Sequence, residues 1–370
     1  MKTGENNSEL SRLGRQMGLA NCCLVLITLY VLVQMPIGVC LAGQWPDFAA
    51  FMKIHEAHRN AVRTGMVRMR YTEYEFVPQA AVHQWKLQHE AWREERIAEI
   101  LEDPNLSLKA KELNISAIER AKEPNYFLAS ERMQDIYRDF IFDFSKWRFK
   151  SDEKPIDPNF FERWGLDLDR VVWTLDDGTQ IRYLRRIDQV LIHENAIPDV
   201  GFMAEVHGAF LGVIGPRRLE DVPNDVNVAV FGDKLDGREV VVYEIRDPDT
   251  GDACRIWADP SVGYRYRKVE FVRNGKVVQR IVAKDYKFFD GIPFPTFHED
   301  TIYRDDPNHP VSKRKTIQVF EARFNQELDP NAFKVRFTPD TYLMSSGRRF
   351  KPCPDKDCEL SVEELLEKAN

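Results

Sequence analysis

The chain has 370 residues, of which 43% are hydrophobic and 11% aromatic, so it is long enough to bury a substantial core and is not globally disordered. Its formal net charge is −7. Nucleic-acid binding depends on a basic face that releases counterions, and none dominates here, so we expect no nucleic-acid partner.

The N-terminus predicts export. No charged residue occurs between Arg15 and Asp47, and residues 20–43 are almost wholly apolar. A basic segment followed by an apolar run is typical of a signal peptide, and the small residues at its end favour cleavage after Ala42. The run is also long enough to anchor the chain in a membrane. We therefore expect residues 1–43 to be a signal peptide or anchor, and the rest to lie in the periplasm or cell envelope.

The next three segments predict a helix, a strand and a helical insertion. Residues 45–63 place apolar side chains at helical spacing, whereas residues 66–76 alternate as a strand does. Residues 79–140 are charged and rich in helix formers, so we interpret them as a helical insertion. The next strand is predicted at 139–150.

From about residue 169 the pattern is strand after strand, separated by tight turns. Four dipeptides favour two-residue hairpins: Asp177-Gly178, Asp236-Gly237, Asn274-Gly275 and Asp290-Gly291. Such short connections join only antiparallel neighbours, so we predict a β-meander. Proline lacks the N–H that a central strand donates, so Pro293 and Pro295 are expected at a strand start or at an open edge.

One apolar segment interrupts the strands at residues 197–216. Its large apolar residues, Phe202, Val206, Phe210 and Ile214, recur at steps of four between proline and glycine residues. This pattern predicts a short helix or a lid-like loop lying against the sheet.

The C-terminal residues 341–370 predict a cysteine-bearing tail. In an exported chain, Cys353 and Cys358 are candidates for a disulfide that closes a short loop. Their spacing, with no second Cys or His pair, is a poor zinc pattern. Ser361 and Glu364 form the capping-box pattern that predicts a helix start.

Three successive segments, 255–271, 283–300 and 320–337, share turn and strand-start residues with a known family. These residues are Trp257, Asp259, Pro260, Gly263 and Tyr264, then Asp285, Tyr286, Lys287, Asp290, Gly291, Ile292, Phe294 and Pro295, then Asn325, Leu328 and Phe333. In this the chain resembles the LolA/LolB-like lipoprotein carrier superfamily, particularly its outer-membrane lipoprotein-sorting protein branch. The resemblance implies an α+β fold: a highly curved, unclosed antiparallel half-barrel over residues 44–340, with helices covering the concave face.

The same resemblance implies a function without catalysis. Members of this superfamily hold acyl chains of lipoproteins in an apolar cavity, so a lipid or lipoprotein acyl chain is the expected ligand, with no cofactor. The alternative is an envelope sensor or protein-interaction module of the same fold, which docks a partner protein through the inserted helices. The carriers have an arginine on an early strand, and Arg68 and Arg70 occupy a comparable place.

The candidate cavity wall consists of large, mostly aromatic residues on the strands and on the covering segment. They are Trp173, Tyr183, Phe202, Val206, Phe210, Ile214, Tyr243, Trp257, Phe271 and Phe320. Ordinary core packing is the competing interpretation for each of them.

Catalytic and metal motifs are weak throughout. The pair His55 and His58 lacks the spacing that directs two imidazoles at one zinc ion. No nucleophile motif accompanies His298, so it is not interpreted as a catalytic base. Residues 304–310 are interpreted as a polar hairpin loop rather than a calcium site. We therefore expect a protein that is not an enzyme.

Overall fold

A computed structural model describes residues 45–104, 107–120, 125–146, 148–165, 167–174, 179–193, 213–214, 217–218, 228–248, 250–345 and 348–369. The predicted leader at 1–43, the predicted turn at Asp177-Gly178 and most of the segment 197–216 lie outside these residues. No described helix is both long enough and apolar enough to cross a membrane.

Six helices and nineteen strands are described. The helices are α1 (Phe48–Asn60), α2 (Gln79–Glu102), α3 (Leu108–Arg120), α4 (Asn125–Leu128), α5 (Phe160–Trp164) and α6 (Val362–Ala369). The strands are β1 (Thr64–Phe76), β2 (Glu131–Asp143), β3 (Arg148–Pro155), β4 (Arg170–Thr174), β5 (Gln180–Leu184), β6 (Gln189–His193), β7 (Val213–Ile214), β8 (Arg217–Arg218), β9 (Val228–Leu235), β10 (Arg238–Arg246), β11 (Ala253–Asp259), β12 (Arg265–Arg273), β13 (Lys276–Phe289), β14 (Ile292–Tyr303), β15 (Val311–Phe324), β16 (Val335–Phe337), β17 (Tyr342–Ser345), β18 (Arg348–Phe350) and β19 (Cys358–Leu360).

Fifteen of these strands form one sheet, in the order β18-β17-β6-β5-β4-β3-β2-β1-β15-β14-β13-β12-β11-β10-β9. Neighbours are antiparallel except β6 and β17, which are parallel. Within the described part of the chain, the edge strands β9 and β18 do not pair with each other, so the sheet is not closed into a barrel. The predicted unclosed antiparallel half-barrel is confirmed. Strands β17 and β18 come from the predicted tail, yet they extend this sheet.

The hairpin turns follow from local chemistry. At Asp236-Gly237, Asn274-Gly275 and Asp290-Gly291 both residues have positive φ, between 50° and 79°. A turn that needs positive φ twice selects Asn or Asp followed by glycine, and its twist matches that of the flanking strands. These three predicted hairpins are therefore confirmed.

Two boundaries differ from the sequence prediction. The inserted helices end at Leu128 and β2 begins at Glu131, eight residues before the predicted strand start at 139. Residues 139–150 are not one strand but the end of β2, a turn and the start of β3. In that turn an Asp143 carboxylate oxygen accepts hydrogen bonds from the Ser145 backbone N–H at 3.1 Å and from its hydroxyl at 2.5 Å. Such a side-chain-to-backbone bond stabilises a tight reversal.

The two prolines of β14 lie at its start, as predicted, but not at an open edge. Pro295 pairs with Tyr286 on β13, whereas pairing with β15 begins only at Phe297. On the β15 side, the prolines therefore have no hydrogen-bond ladder to interrupt. The open edges are β9 and β18 instead.

Side chains alternate between the two sides of each strand, and the cross-strand register aligns side chains of the same side on neighbouring strands. The sheet therefore has two distinct faces. The face that carries α1 and α5 is called the helix face here. The opposite face carries residues 333–369 over β4–β6 and is called the tail face. The two faces bury different parts of the chain.

The helix face carries two apolar clusters. Under α1, on β10–β13, the ring of Phe51 stacks on Tyr243 with centroids 4.1 Å apart, and both side chains are fully buried. Burying one such side chain is worth about 1.5–3 kcal/mol. The second, central cluster includes Val67, Met69, Phe140, Phe142, Phe149, Ile317 and Phe324 on the strands, with Phe160 of α5 and Leu168.

The tail face is covered at one end by the C-terminal residues. The indole N–H of Trp173 donates to the Phe333 carbonyl at 3.0 Å, and the helix α6 buries Leu365 against the same cluster. The predicted capping box is present, because the Ser361 N–H donates to the Glu364 carboxylate at 2.6 Å. A disulfide joins Cys353 and Cys358, the pair considered from the sequence.

The inserted helices α2, α3 and α4 pack mainly on one another. The Trp85 ring stacks on Phe127 of α4 at 5.6 Å, and an Arg93 guanidinium N–H donates to the Ile118 carbonyl of α3 at 2.8 Å. Phe127 also packs against the central apolar cluster. The insertion is thus attached to the helix face through its last, shortest helix.

Candidate functional site

Charged side chains occupy the helix face of β2–β5, beside the central apolar cluster. Arg138 of β2, Glu153 of β3 and Arg170 of β4 lie directly opposite one another in a single cross-strand row. Arg182 of β5 pairs with Val172, so it lies in the adjacent row of the same face. Four neighbouring strands therefore each contribute one charged group to this site.

Glu153 lies at the centre of the group. Its carboxylate contacts Arg138 at 3.0 Å and Arg170 at 2.8 Å, and it accepts a hydrogen bond from the Ser151 hydroxyl at 3.1 Å. Burial alone would raise the pKa of Glu153. The charges of Arg138 and Arg170, with the hydrogen bonds from Arg170 and Ser151, outweigh burial and hold this pKa at about 2. The carboxylate is therefore ionised at neutral pH.

These groups line a small pocket of about 40 Å³. Its floor is apolar, formed by Phe140, Phe149 and Val172, and Gln180 and Thr174 add polar atoms at one side. A buried water needs roughly 10–15 Å³ on this measure, so the pocket has the size of about three waters or one small anion. It is too small to enclose an acyl chain.

The positive charges of the pocket outnumber the negative ones. Among its described lining residues, Arg138, Arg170 and Arg182 face one acidic group, Glu153. The Arg138 guanidinium also lies over the Tyr71 ring, 4.5 Å from its centroid, which is a favourable cation–π distance.

A second buried polar group lies between α1 and the sheet. His55 and Arg265 are almost fully buried, and the rings of His55 and His58 are 6.4 Å apart. Burial, with the nearby Arg265 charge and His58, lowers the pKa of His55 to about 3, and burial and Arg265 lower that of His58 to about 4. Both histidines are therefore neutral at pH 7 and can lie beside a buried guanidinium.

Glycine permits this close packing of α1. Gly263 has a φ of 70°, and a Cβ there would lie 3.1 Å from the His58 ring. A side chain at this position would strain the backbone and crowd the helix.

The predicted cavity-wall residues do not line one cavity. Trp173 and Tyr183 lie on the tail face beneath the C-terminal residues, whereas Tyr243 and Phe271 lie on the helix face near α1. Phe320 is half exposed on the tail face, its ring 6.2 Å from Tyr137. Their assignment to a single wall does not match these positions.

The remaining members of that set are dispersed as well. Trp257 lies on the tail face, where its indole N–H donates to Asp233 at 2.9 Å and the Lys268 ammonium lies over its ring. Ile214 lies in β7 and pairs with β8. The residues Phe202, Val206 and Phe210 lie outside the described part of the chain.

Arg68 and Arg70, the early-strand arginines singled out from the sequence, project from the tail face, where they form ion pairs with Asp139 and Asp135. On the helix face, the neighbouring strand β2 carries the buried Arg138. Its parity with the apolar Phe140 is visible in the sequence, but the sequence pattern predicts this strand only from residue 139.

The other weak motifs occupy packing and turn positions. His298 is buried on the helix face, and burial, with the charge of Lys315, lowers its pKa to about 4. In the loop 304–310, an Asp306 oxygen accepts the Asn308 N–H at 2.9 Å, which closes a polar turn. No group of three or more His, Cys, Asp or Glu side chains suited to a metal ion occurs among the described residues.

A larger, open groove of about 860 Å³ lies along β12 and β13. Its charged side chains largely pair with one another: Glu270 contacts Arg280 at 2.9 Å and Lys268 at 3.6 Å. The groove is wide and solvated, and its charges are locally compensated. It gives no comparable indication of a specific ligand.

No protein-family model matches the sequence, and no curated protein matches it significantly. Among solved structures, similarity is found to a DUF1329 family protein from Desulfovibrio piger (TM-score 0.37, 10% identity, covering 76% of this chain and 94% of that one). It is also found to a LolA superfamily protein from Nitrosomonas europaea (TM-score 0.34, 9% identity, 75% and 94%) and to an uncharacterized conserved protein from Thermus thermophilus (0.27, 7%, 76% and 90%). These likenesses concern the fold alone.

Proposed function

We propose that the protein is an exported, non-enzymatic envelope protein that binds the acyl chain of a lipid or lipoprotein against its helix face. The observation that carries this proposal lies on one face of an open sheet: a central apolar cluster with a small charged pocket beside it, and a second apolar cluster under α1. An amphiphilic ligand has the same two parts.

Helix α1 is the cover that such a chain would displace. It contributes Phe51 to the apolar cluster on β10–β13, with Phe48 and Met52 packed beside it. It joins the sheet through the short connection before β1, so it can move away as a unit without disturbing the strand order. Each buried methylene of a ligand is worth about 0.8 kcal/mol, so a chain of about ten methylenes offsets much of the lost helix packing.

Native mass spectrometry of the protein purified gently from membranes tests the proposal. We expect an added mass that organic extraction removes, and displacement of a fluorescent fatty acid by unlabelled fatty acid afterwards. The variant Phe51→Ala should exchange the probe faster, because α1 is held less firmly, whereas Lys53→Ala on the exposed side of α1 should not. Protein that always has its bare mass and takes up no probe contradicts acyl-chain binding.

A second candidate function is partner docking through the inserted helices. Leu87, Trp92 and Leu101 of α2 are each more than half exposed, which is unusual for large apolar side chains on one helix. Replacing all three by serine should abolish a stable partner complex, detected by cross-linking in the envelope fraction, without changing the bound lipid mass. Loss of the lipid with the partner retained would favour the first function instead.

A further inference from the structure

We infer that the exposed side of α2 is a self-association surface, on which a second copy of this chain packs its own α2 in the antiparallel direction. The inference deepens the second candidate function, partner docking through the inserted helices, and rests on it, because it names the partner. It does not depend on acyl-chain binding.

Helix α2 is apolar on two opposite sides. One side is covered within the chain, where Val82 and Ile100 are buried and the Trp85 ring stacks on Phe127. The opposite side, called the exposed stripe here, follows alternating steps of four and three residues, and all its members are exposed: Ala80, Gln84, Leu87, Ala91, Glu94, Ala98 and Leu101. Such steps, sustained over residues 80–101, are the pattern of a coiled-coil seam. The exposed stripe therefore suits a second helix.

The side-chain sizes in the exposed stripe complement one another in an antiparallel pair. Leu87 is 52% exposed and Leu101 is 55% exposed. When Leu87 lies opposite Ala98 of a second copy, twofold symmetry repeats the same contact at the other end, and Leu101 lies opposite Gln84. Alanine opposite leucine lets the two helix axes approach to about 8 Å, so both leucines can be buried.

The charged residues beside the exposed stripe favour the antiparallel direction. In this alignment Glu90 lies opposite Ile97 of the second copy and Glu95 lies opposite Gln88, so these carboxylates do not face each other. In a parallel pair Glu90 would lie beside Glu95 of the second copy, and like charges placed together disfavour association. Antiparallel packing also sets opposite ends of the two helix dipoles side by side. The charge pattern of α2 therefore fits a second, antiparallel α2.

Glu94 is the one charged member of the exposed stripe. In the same alignment it lies opposite Ala91 of the second copy, and the two Glu94 side chains are only about 5 Å apart along the helix axis. Two carboxylates this close to the twofold axis repel each other. Glu94→Gln should therefore tighten self-association, which is a result that an unrelated partner would not produce.

Sedimentation velocity of the full chain over a series of concentrations tests the inference with four proteins. They are the wild type, Leu87→Ser/Leu101→Ser, Glu94→Gln and the control Trp92→Ser. The Trp92 ring is 53% exposed but packs beside His89, away from the exposed stripe. We expect a reversible dimer in the wild type and the control, a dissociation constant at least tenfold larger in the double variant, and one several-fold smaller in Glu94→Gln. Equal urea midpoints show that the variants are folded.

Spin labels test the direction of packing. A nitroxide is attached at Ala81→Cys, on the exposed first turns of α2, in a Cys254→Ala background. Two such labels are about 35 Å apart along the axis in the antiparallel pair, but only about 10 Å apart in a parallel one. Double electron–electron resonance on the dimer measures the distance.

A wild type that is monomeric at every concentration overturns the inference, as does a dimer that the double variant retains or a short label distance. An unchanged dissociation constant in Glu94→Gln contradicts the antiparallel alignment. If the wild type is monomeric but the double variant loses a cross-linked complex with another envelope protein, partner docking stands and self-association fails. Displacement of the fluorescent fatty acid should be equal in all four proteins, because the exposed stripe has no part in the apolar clusters of the helix face.

Discussion

The two ends of the sheet are covered on opposite faces. On β10–β13 the helix α1 covers the helix face, where Val241 and Tyr243 are fully buried. On β4–β6 the C-terminal residues cover the tail face instead, where Val171 and Trp173 are buried to the same degree. The strands also differ: β10 buries apolar side chains on both faces, with Val240 and Val242 on the tail face, whereas β4 places Arg170 on its helix face.

This difference explains why the pocket exists where it does. Because the apolar residues of β4 and β5 project towards the tail, Arg170 and Arg182 necessarily project from the helix face. A helix packed there would have to bury these two guanidinium groups, which costs free energy. The half-barrel therefore has one end filled by a helix and another end left for a polar site.

The variant Phe51→Ala tests the helix-covered end and should have the largest effect. It removes the ring stacked on Tyr243 and leaves a cavity under α1, so we expect the free energy of unfolding to fall by about 4 kcal/mol. Urea denaturation followed by tryptophan fluorescence measures it. The control Lys53→Ala, on the exposed side of α1, should change it by less than about 0.5 kcal/mol. Equal effects would mean that α1 contributes little to this end.

The variant Glu153→Gln tests the other end. It removes the carboxylate that Arg138 and Arg170 share, so the free energy of unfolding should fall by about 3 kcal/mol. Asp152→Asn is the matched control, because it lies on the same strand and faces the opposite side, where it pairs with the partly exposed Arg185. If both substitutions lower the free energy of unfolding equally, a charged residue on the helix face of β2–β5 contributes no more to stability than one on the tail face.

The sequence predicts best what depends on neighbouring residues. The turn at Asn274-Gly275 and the capping box at Ser361 follow from backbone conformations that only a few residue types stabilise. The helix predicted at 45–63 and the strand predicted at 66–76 also match α1 and β1 closely, since their periodicity extends over several turns or residue pairs.

Face assignment could not be predicted in the same way. Trp173 satisfies the pattern of a cavity wall, but it lies under a segment 160 residues further along the chain. The sequence pattern does not predict the start of β2, because Arg138 and Gln134 interrupt its apolar alternation, and such polar residues are accommodated there by cross-strand partners. The face on which Trp173 lies and the start of β2 both depend on pairing between distant strands, which cannot be inferred from a single sequence.

The pH dependence of stability gives a further test of the end covered by α1, with a smaller expected effect than the substitutions above. The folded-state pKa of His55 is about 3, below its unfolded value of about 6.5, so the unfolded state binds the proton first and stability falls as pH decreases through 6.5. Glu153, with a depressed pKa, loses its contribution only below about pH 4.5. Between pH 8 and pH 5 the loss from His55 should be about 2 kcal/mol.

The urea midpoint measured at both pH values checks this. The variant His55→Leu should reduce the difference between them, whereas His83→Leu, on the exposed side of α2, should leave it as in the wild type. An unchanged difference in His55→Leu would show that the buried histidine takes up its proton in the folded state, and that α1 is already loosened at pH 5.

The smallest effect is expected on the tail face at the middle of the sheet. Arg68 and Asp139 form an ion pair at 2.9 Å, but their side chains are 53% and 48% exposed. Water screens such a pair, so Arg68→Ala should change the free energy of unfolding by less than about 1 kcal/mol, and by still less in 0.5 M salt. Parallel urea titrations of Arg68→Ala and Glu153→Gln measure the contrast. If Arg68→Ala is as damaging as Glu153→Gln, then exposure does not separate the two faces, and the early-strand arginine on the tail face is as important to this fold as the buried pair.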